Sequence, residues 1–199
     1  MREKNVYIIR WYGPFSSRQS LKEWEYKQRD CFYLYLFQGK RRNRKRYKYY
    51  CGMTFDRKKT IACVANRMRD ADHHIHQFEE ERPNEISIWI GTFANISRPK
   101  KSDVKLCEKM LTSELANIEL DDNESENKTN KRPPRENIFI INEWFDIRTG
   151  SDENSDDYDD FESNDKNVIP NKVPDVMCYY YKTKALYRAN KLQYVPNID

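Results

Sequence analysis

The chain has 199 residues, with 36 lysines and arginines against 32 acids, a net charge of +4, 34% charged and 38% hydrophobic residues. Such a chain suits one globular domain that buries roughly two thirds of its unfolded surface. No stretch approaches the ~20 apolar residues of a bilayer span and the first residues carry no apolar signal core, so a cytoplasmic protein is expected.

Residues 5–12, NVYIIRWY, are β-branched and aromatic and predict a strand ended by Gly13-Pro14. Residues 16–29 predict a helix with Ser17 as its N-cap, and the unbroken apolar run at 31–37, CFYLYLF, predicts a buried strand. A second strand over 47–53 completes a hairpin. Ile61, Val64, Ala65 and Met68 recur at helical spacing in 60–70 behind the N-cap residue Thr60. Residues 85–93 alternate around Ile86, Ile88 and Ile90 as a strand, and Val104, Cys107, Met110, Leu111, Leu115 and Ile118 form one apolar helical stripe in 102–120. A polar loop over 121–135 leads to a strand at 137–141. Residues 176–182 and 185–195 read as strands or as a hairpin turning near Asn190. The expected fold class is α+β: a small mixed or antiparallel sheet flanked by helices, with β-rich N- and C-terminal additions. The five cysteines include no CxxC pair, so neither a disulfide framework nor a structural zinc is signalled.

Charge is unevenly placed. Residues 151–166 hold eight acids and one lysine, leaving the rest of the chain at +11, and this run reads as a disordered acidic loop that is either merely solvated or a nucleic-acid mimic. At the hairpin tip, Lys40, Arg41, Arg42, Arg44, Lys45, Arg46 and Lys48 put seven bases into nine residues. That density predicts a phosphate-binding segment, because neutralising backbone charge releases counterions; the bland alternative is a solvated loop. The aromatic and basic residues of 179–194 suit base stacking, or an amphipathic strand pair with aromatics inward and lysines outward.

One set of short motifs falls in a telling order. Cys31-Phe32-Tyr33 is followed by Tyr50-Cys51-Gly52, then Asn66-Arg67-Met68 on a helix, Glu108 at the head of the helical run Glu108 to Leu115, and Asn130-Lys131-Arg132. This order resembles the GIY-YIG nucleases over residues 31–135, with extensions at 1–30 and 136–199. The departures are extra residues between Tyr33 and Tyr50, which are the basic block, Cys-Phe in place of Gly-Ile, and Ala71 where many members have a histidine four residues after the arginine. Taking Arg69 as the arginine puts His73 four residues on, but Asp70 then follows it. Tyr35 rivals Tyr33, Glu114 rivals Glu108 and Asn127 rivals Asn130.

The resemblance implies a DNA endonuclease that leaves 5′-phosphate and 3′-hydroxyl ends. It implies that Tyr50 is the general base or steers the water, Tyr33 holds it or the phosphate, Arg67 clamps the phosphate, and Glu108 binds one Mg²⁺, with Asn130 closing the set. Elementary chemistry agrees: phosphodiester hydrolysis needs a proton acceptor and fixed positive charge for the oxygens of the transition state. One carboxylate suffices for Mg²⁺, which keeps most of its waters. A tyrosine with an ordinary pKa near 10 serves as a base only beside cations. Integrated extensions in place of a tethered second domain favour a type II restriction enzyme, and a double-strand cut from one site per chain favours a homodimer or sequential nicking. The alternative is a non-catalytic basic nucleic-acid-binding module with a degenerate nuclease core.

Overall fold

The computed structural model describes residues 5–40, 47–55, 63–70, 73–82, 85–118, 132–149, 158–166 and 168–189. In chain order the elements are β1 (Asn5–Phe15), α1 (Arg18–Glu25), β2 (Leu34–Lys40), β3 (Tyr47–Met53), α2 (Cys63–Arg67), α3 (Ile75–Glu81), β4 (Ser87–Phe93), α4 (Lys101–Ile118), β5 (Ile138–Asp146), α5 (Ile169–Lys172), β6 (Val176–Tyr180) and β7 (Ala185–Ala189).

The strands form one mixed seven-stranded sheet in the order β3-β2-β4-β1-β5-β6-β7. Only β1 and β5 run parallel; every other neighbouring pair is antiparallel. Thus the first strand of the chain lies near the middle of the sheet, between β4 and β5, and residues on both sides of 31–135 are hydrogen-bonded into the same ladder. The architecture is α+β in the broad sense expected.

Period-two alternation sorts the side chains into two cores. On one side Ile9, Trp11, Leu34, Leu36, Cys51 and Ile140 meet Val104, Cys107, Met110 and Leu111 of α4. On the other, Phe15, Tyr35, Phe37 and Ile88 meet Leu21 of α1, Val64 and Met68 of α2, and Ile75 and Phe78 of α3. Each large aliphatic side chain buried in this way contributes roughly 1.5–3 kcal/mol. The buried polar Asn142 is satisfied: it accepts from Trp11 Nε1 and donates to the Pro174 carbonyl, both at 2.8 Å.

Local chemistry explains most boundaries. Ser17 caps α1 in a reciprocal box with Ser20. β1 runs on through Gly13-Pro14 to Phe15, with a bulge between Tyr12 and Phe15 that lets pairing resume opposite Ile88. The last hairpin turns at residues 181–184, not near Asn190, because Tyr180 pairs Ala185 and Lys184 adopts a left-handed φ of 57°. Residues 158–161 of the acidic run lie against the body of the protein, where Asp160 bridges Phe145 and Phe161 stacks edge-on against Trp89 at 4.9 Å; residues 151–157 lie outside the described residues. No helix among the described residues is long and apolar enough to cross a membrane.

Candidate active site at the sheet edge

β3 is an edge strand, and on its α2/α3 side Tyr50 lies beside the ring of Tyr35 from β2, with centroids 6.1 Å apart and planes 18° from parallel. Two glycines make the approach of neighbours possible. A Cβ on Gly52 would meet Tyr35 Cζ at 2.3 Å, so only glycine lets that ring lie over β3; a Cβ on Gly39 would meet Phe78 at 2.6 Å and push α3 off the sheet. His73, just before α3, completes the group: its Nε2 is 3.0 Å from the Tyr35 hydroxyl, and His74 stands with its ring 5.1 Å from that of Tyr50.

The hydrogen bonds have a definite direction. The Ile75 N–H donates to His73 Nδ1 at 3.3 Å, so the neutral ring carries its proton on Nε2. Nε2–H therefore donates to the Tyr35 oxygen, and hydrogen bonding from Tyr35, whose ring lies alongside that of Tyr50, acts to lower the Tyr50 pKa. For a Tyr50 anion that hydrogen bond is a favourable contribution, but a smaller one than those that raise its pKa.

Other forces oppose that anion. Burial pushes Tyr50 above its ordinary value, the Cys51 and Glu108 charges add to this, and the Tyr35 hydrogen bond and the Arg67 charge offset it. Tyr35 is pushed up by burial and then by Tyr50, with Arg67 again opposing. The Glu108 carboxyl is also raised by burial, with Lys105 opposing. Arg67 of α2, Tyr35 and Tyr50 thus lie on one side of the sheet, whereas Glu108 belongs to α4 on the other side and acts on the tyrosines through its charge alone.

Burial holds His73 down to about 4, helped by the charges of Arg67, His74 and His76. Its folded pKa lies below the ordinary 6.5, so the native state binds fewer protons than the unfolded chain between those values. Stability is therefore unaffected by this group above about pH 6.5 and is lost as pH falls towards about 4, by at most about 3 kcal/mol. Urea denaturation across this window should show the loss, and His73→Gln should flatten it; an equal loss in the variant would place the acid sensitivity elsewhere.

The remaining candidates fall as follows. Tyr33 precedes β2 and joins the α4-side core, with its ring 6.1 Å from Phe55 and 6.0 Å from Phe93, so it stands away from Tyr50 while Tyr35 meets it. Glu114 is buried and takes a two-pronged ion pair from Arg188 of β7, at 2.5 and 3.0 Å, which removes it as a rival to Glu108. Arg67 is half-exposed and ion-paired with Asp70. In the basic block Lys40 pairs with Glu85 at 2.9 Å and lies 4.4 Å over the Tyr47 ring; Lys48 lies in β3. Arg41, Arg42, Arg44, Lys45, Arg46 and Asn130 lie outside the described residues.

Sequence reasoning had weighed Tyr35 and His73 without assigning them to the site. The alternation of β2 was the available signal for Tyr35. For His73 it was the count of four from Arg69; the count from Arg67 falls on Ala71 and misses it, because α2 ends at Arg67 and helical spacing stops there.

Among the described residues there is no cluster of three or more His, Cys, Asp or Glu able to hold a metal. The half-buried Glu108 carboxylate takes no hydrogen bond from a described residue, which suits a single hard cation that keeps its own waters. Comparison with protein-family models, with curated proteins and with solved structures finds no match to this chain.

Proposed function

We propose that this chain is a Mg²⁺-dependent endonuclease of the GIY-YIG type that hydrolyses DNA phosphodiester bonds, in the manner of a type II restriction enzyme. The observation that carries the reading is the packing of His73, Tyr35 and Tyr50 on one side of the sheet edge, with His73 Nε2 3.0 Å from the Tyr35 hydroxyl and the Arg67 charge favouring a Tyr50 anion. Tyr50 first gives its own proton to solvent, and its phenolate then takes the proton of the attacking water; hydrogen bonding from Tyr35 and the Arg67 charge favour that phenolate. Arg67, always charged and planar, suits a doubly hydrogen-bonded hold on phosphate. Glu108, on the α4 side of the edge strand, would hold Mg²⁺, which when bound would supply Lewis acidity at the phosphate and offset the Glu108 charge that raises the Tyr50 pKa. The lysines and arginines of 40–48 supply the salt-dependent hold on the duplex. Cleavage of both strands uses two copies of the chain or two successive nicks.

The test is plasmid cleavage at low salt with Mg²⁺ and with EDTA, for wild type and Glu108→Ala, alongside DNA binding as salt is raised. Discrete fragments that require both Mg²⁺ and Glu108 are expected. Salt-sensitive binding by both proteins with no cleavage of any substrate would instead make this a nucleic-acid-binding module with a degenerate nuclease core.

A further inference from the structure

Among the described residues the helix that carries Arg67 runs only from Cys63 to Arg67, and so short a stretch draws little persistence from its own hydrogen bonds. What holds it comes from α1. The Glu25 carboxylate, 2% exposed, reaches the start of α2 and accepts the Val64 N–H at 3.0 Å on one oxygen and the Ala65 N–H at 2.8 Å on the other. At the opposite end, Arg18 Nη1 donates at 3.0 Å to the carbonyl of Met68, just past the last residue of α2. An anion stands at the N-terminal amides and a cation at the C-terminal carbonyls, the arrangement that a helix's own dipole favours. Arg18 and Glu25 are seven residues apart, on the same face of α1, so one rigid element grips both ends of another.

The same arginine reaches α3. Its other guanidinium nitrogen pairs with Glu79 at 2.5 Å and its backbone N–H donates to Glu79 at 3.4 Å, while His76 Nε2 lies 3.4 Å from Nη1. α3 begins directly after His73 and His74. The element carrying Arg67 and the one that follows His73 are thus tied to a single helix, outside the stretch that carries the motifs.

We infer that α1 is a clamp for the active site, with Glu25 and Arg18 as positioning residues that set Arg67 and His73 against Tyr35 and Tyr50. This rests on the proposed nuclease reading. Neither residue touches the reacting atoms; each acts through backbone groups of α2 or the side chain of Glu79. A misplacement of about 1 Å at a reacting site costs on the order of 10²-fold in rate, which sets the expected effect.

The experiment compares wild type with Glu25→Gln and Arg18→Met in single-turnover plasmid cleavage, DNA binding and amide hydrogen exchange. Glutamine keeps the shape of Glu25 but turns an NH₂ toward one of the two amides. Expected are a fall of about 10²-fold in kcat for Glu25→Gln and about 10-fold for Arg18→Met, KM and DNA affinity within twofold, and faster exchange at Val64 and Ala65 with β4 amides unchanged. Faster exchange at Val64 and Ala65 with kcat unchanged would overturn the inference and leave Glu25 a stabilising cap. Should Glu25→Gln fail to fold, Arg18→Met carries the same decision. A wild type that binds but never cuts would refute the nuclease reading itself, an outcome distinct from active variants.

Discussion

Tyr50→Phe is expected to lower cleavage by about 10³-fold while DNA binding stays within twofold, because a positioned general base contributes roughly 10²–10⁴-fold and phenylalanine keeps the ring. The ring contacts are those with Tyr35, Phe37, His73 and His74, none of which needs the hydroxyl. Tyr35→Phe is expected to cost less, about 10-fold, since the Tyr50 hydroxyl remains. It should also move the pH-rate profile. The Tyr35 hydrogen bond lowers the Tyr50 pKa, so its removal raises that pKa and shifts the rising limb to higher pH. Cleavage rates of the three proteins across pH test both parts. A Tyr50→Phe enzyme within fivefold of wild type would remove Tyr50 from the chemistry, and an unmoved profile in Tyr35→Phe would mean that the Tyr35 hydrogen bond does not act on Tyr50.

This part of the site was half legible in the sequence. Tyr-x-Gly selected Tyr50 from its tyrosine neighbours, and the structure gives a physical reason for the glycine: the Tyr35 ring occupies the space of its missing Cβ. Tyr33 and Tyr35 have the same parity, so an ideal strand would send both to one face. β2 starts only at Leu34, and Tyr33, still outside it, falls in with Phe55 and Phe93. Spacing along a sequence identifies a face only while the element lasts. The same limit hid His73, because α2 stops at Arg67 and a turn follows.

For the fold, periodic apolar runs carried the reading. The stripe of α4 and the alternation of β4 correspond to elements of nearly the expected extent, whereas β5 runs past the expected 137–141 to Asp146. Position in the sheet was not legible, since nothing in NVYIIRWY says that it pairs with strands 80 and 130 residues away; those partners are chosen by burial on both faces. The final turn lacks glycine and asparagine. Lys184 takes the left-handed conformation with its ammonium 3.7 Å over the Tyr181 ring, while Asn190 offered a stronger local turn signal further on.

The ion pair between α4 and β7 should show how unequally two partners bear the loss of each other. Glu114 is 1% exposed at its side chain, whereas that of Arg188 is 42% exposed. Arg188→Ala leaves a carboxylate buried with both ion-pair contacts gone, and breaking a buried pair in this way costs about 3–5 kcal/mol. Glu114→Gln leaves the guanidinium free to turn into water, and the amide oxygen can still accept one hydrogen bond, so a loss of about 1–2 kcal/mol is expected. Urea denaturation of the two variants measures the difference. Because β7 is the outermost strand and Glu114 sits six residues along α4 from Glu108, the pair also ties the far edge of the sheet to the helix that carries the metal-binding candidate. Equal losses in the two variants would mean that water reaches Glu114 once Arg188 is gone, and that the hairpin, not the helix, gives way first.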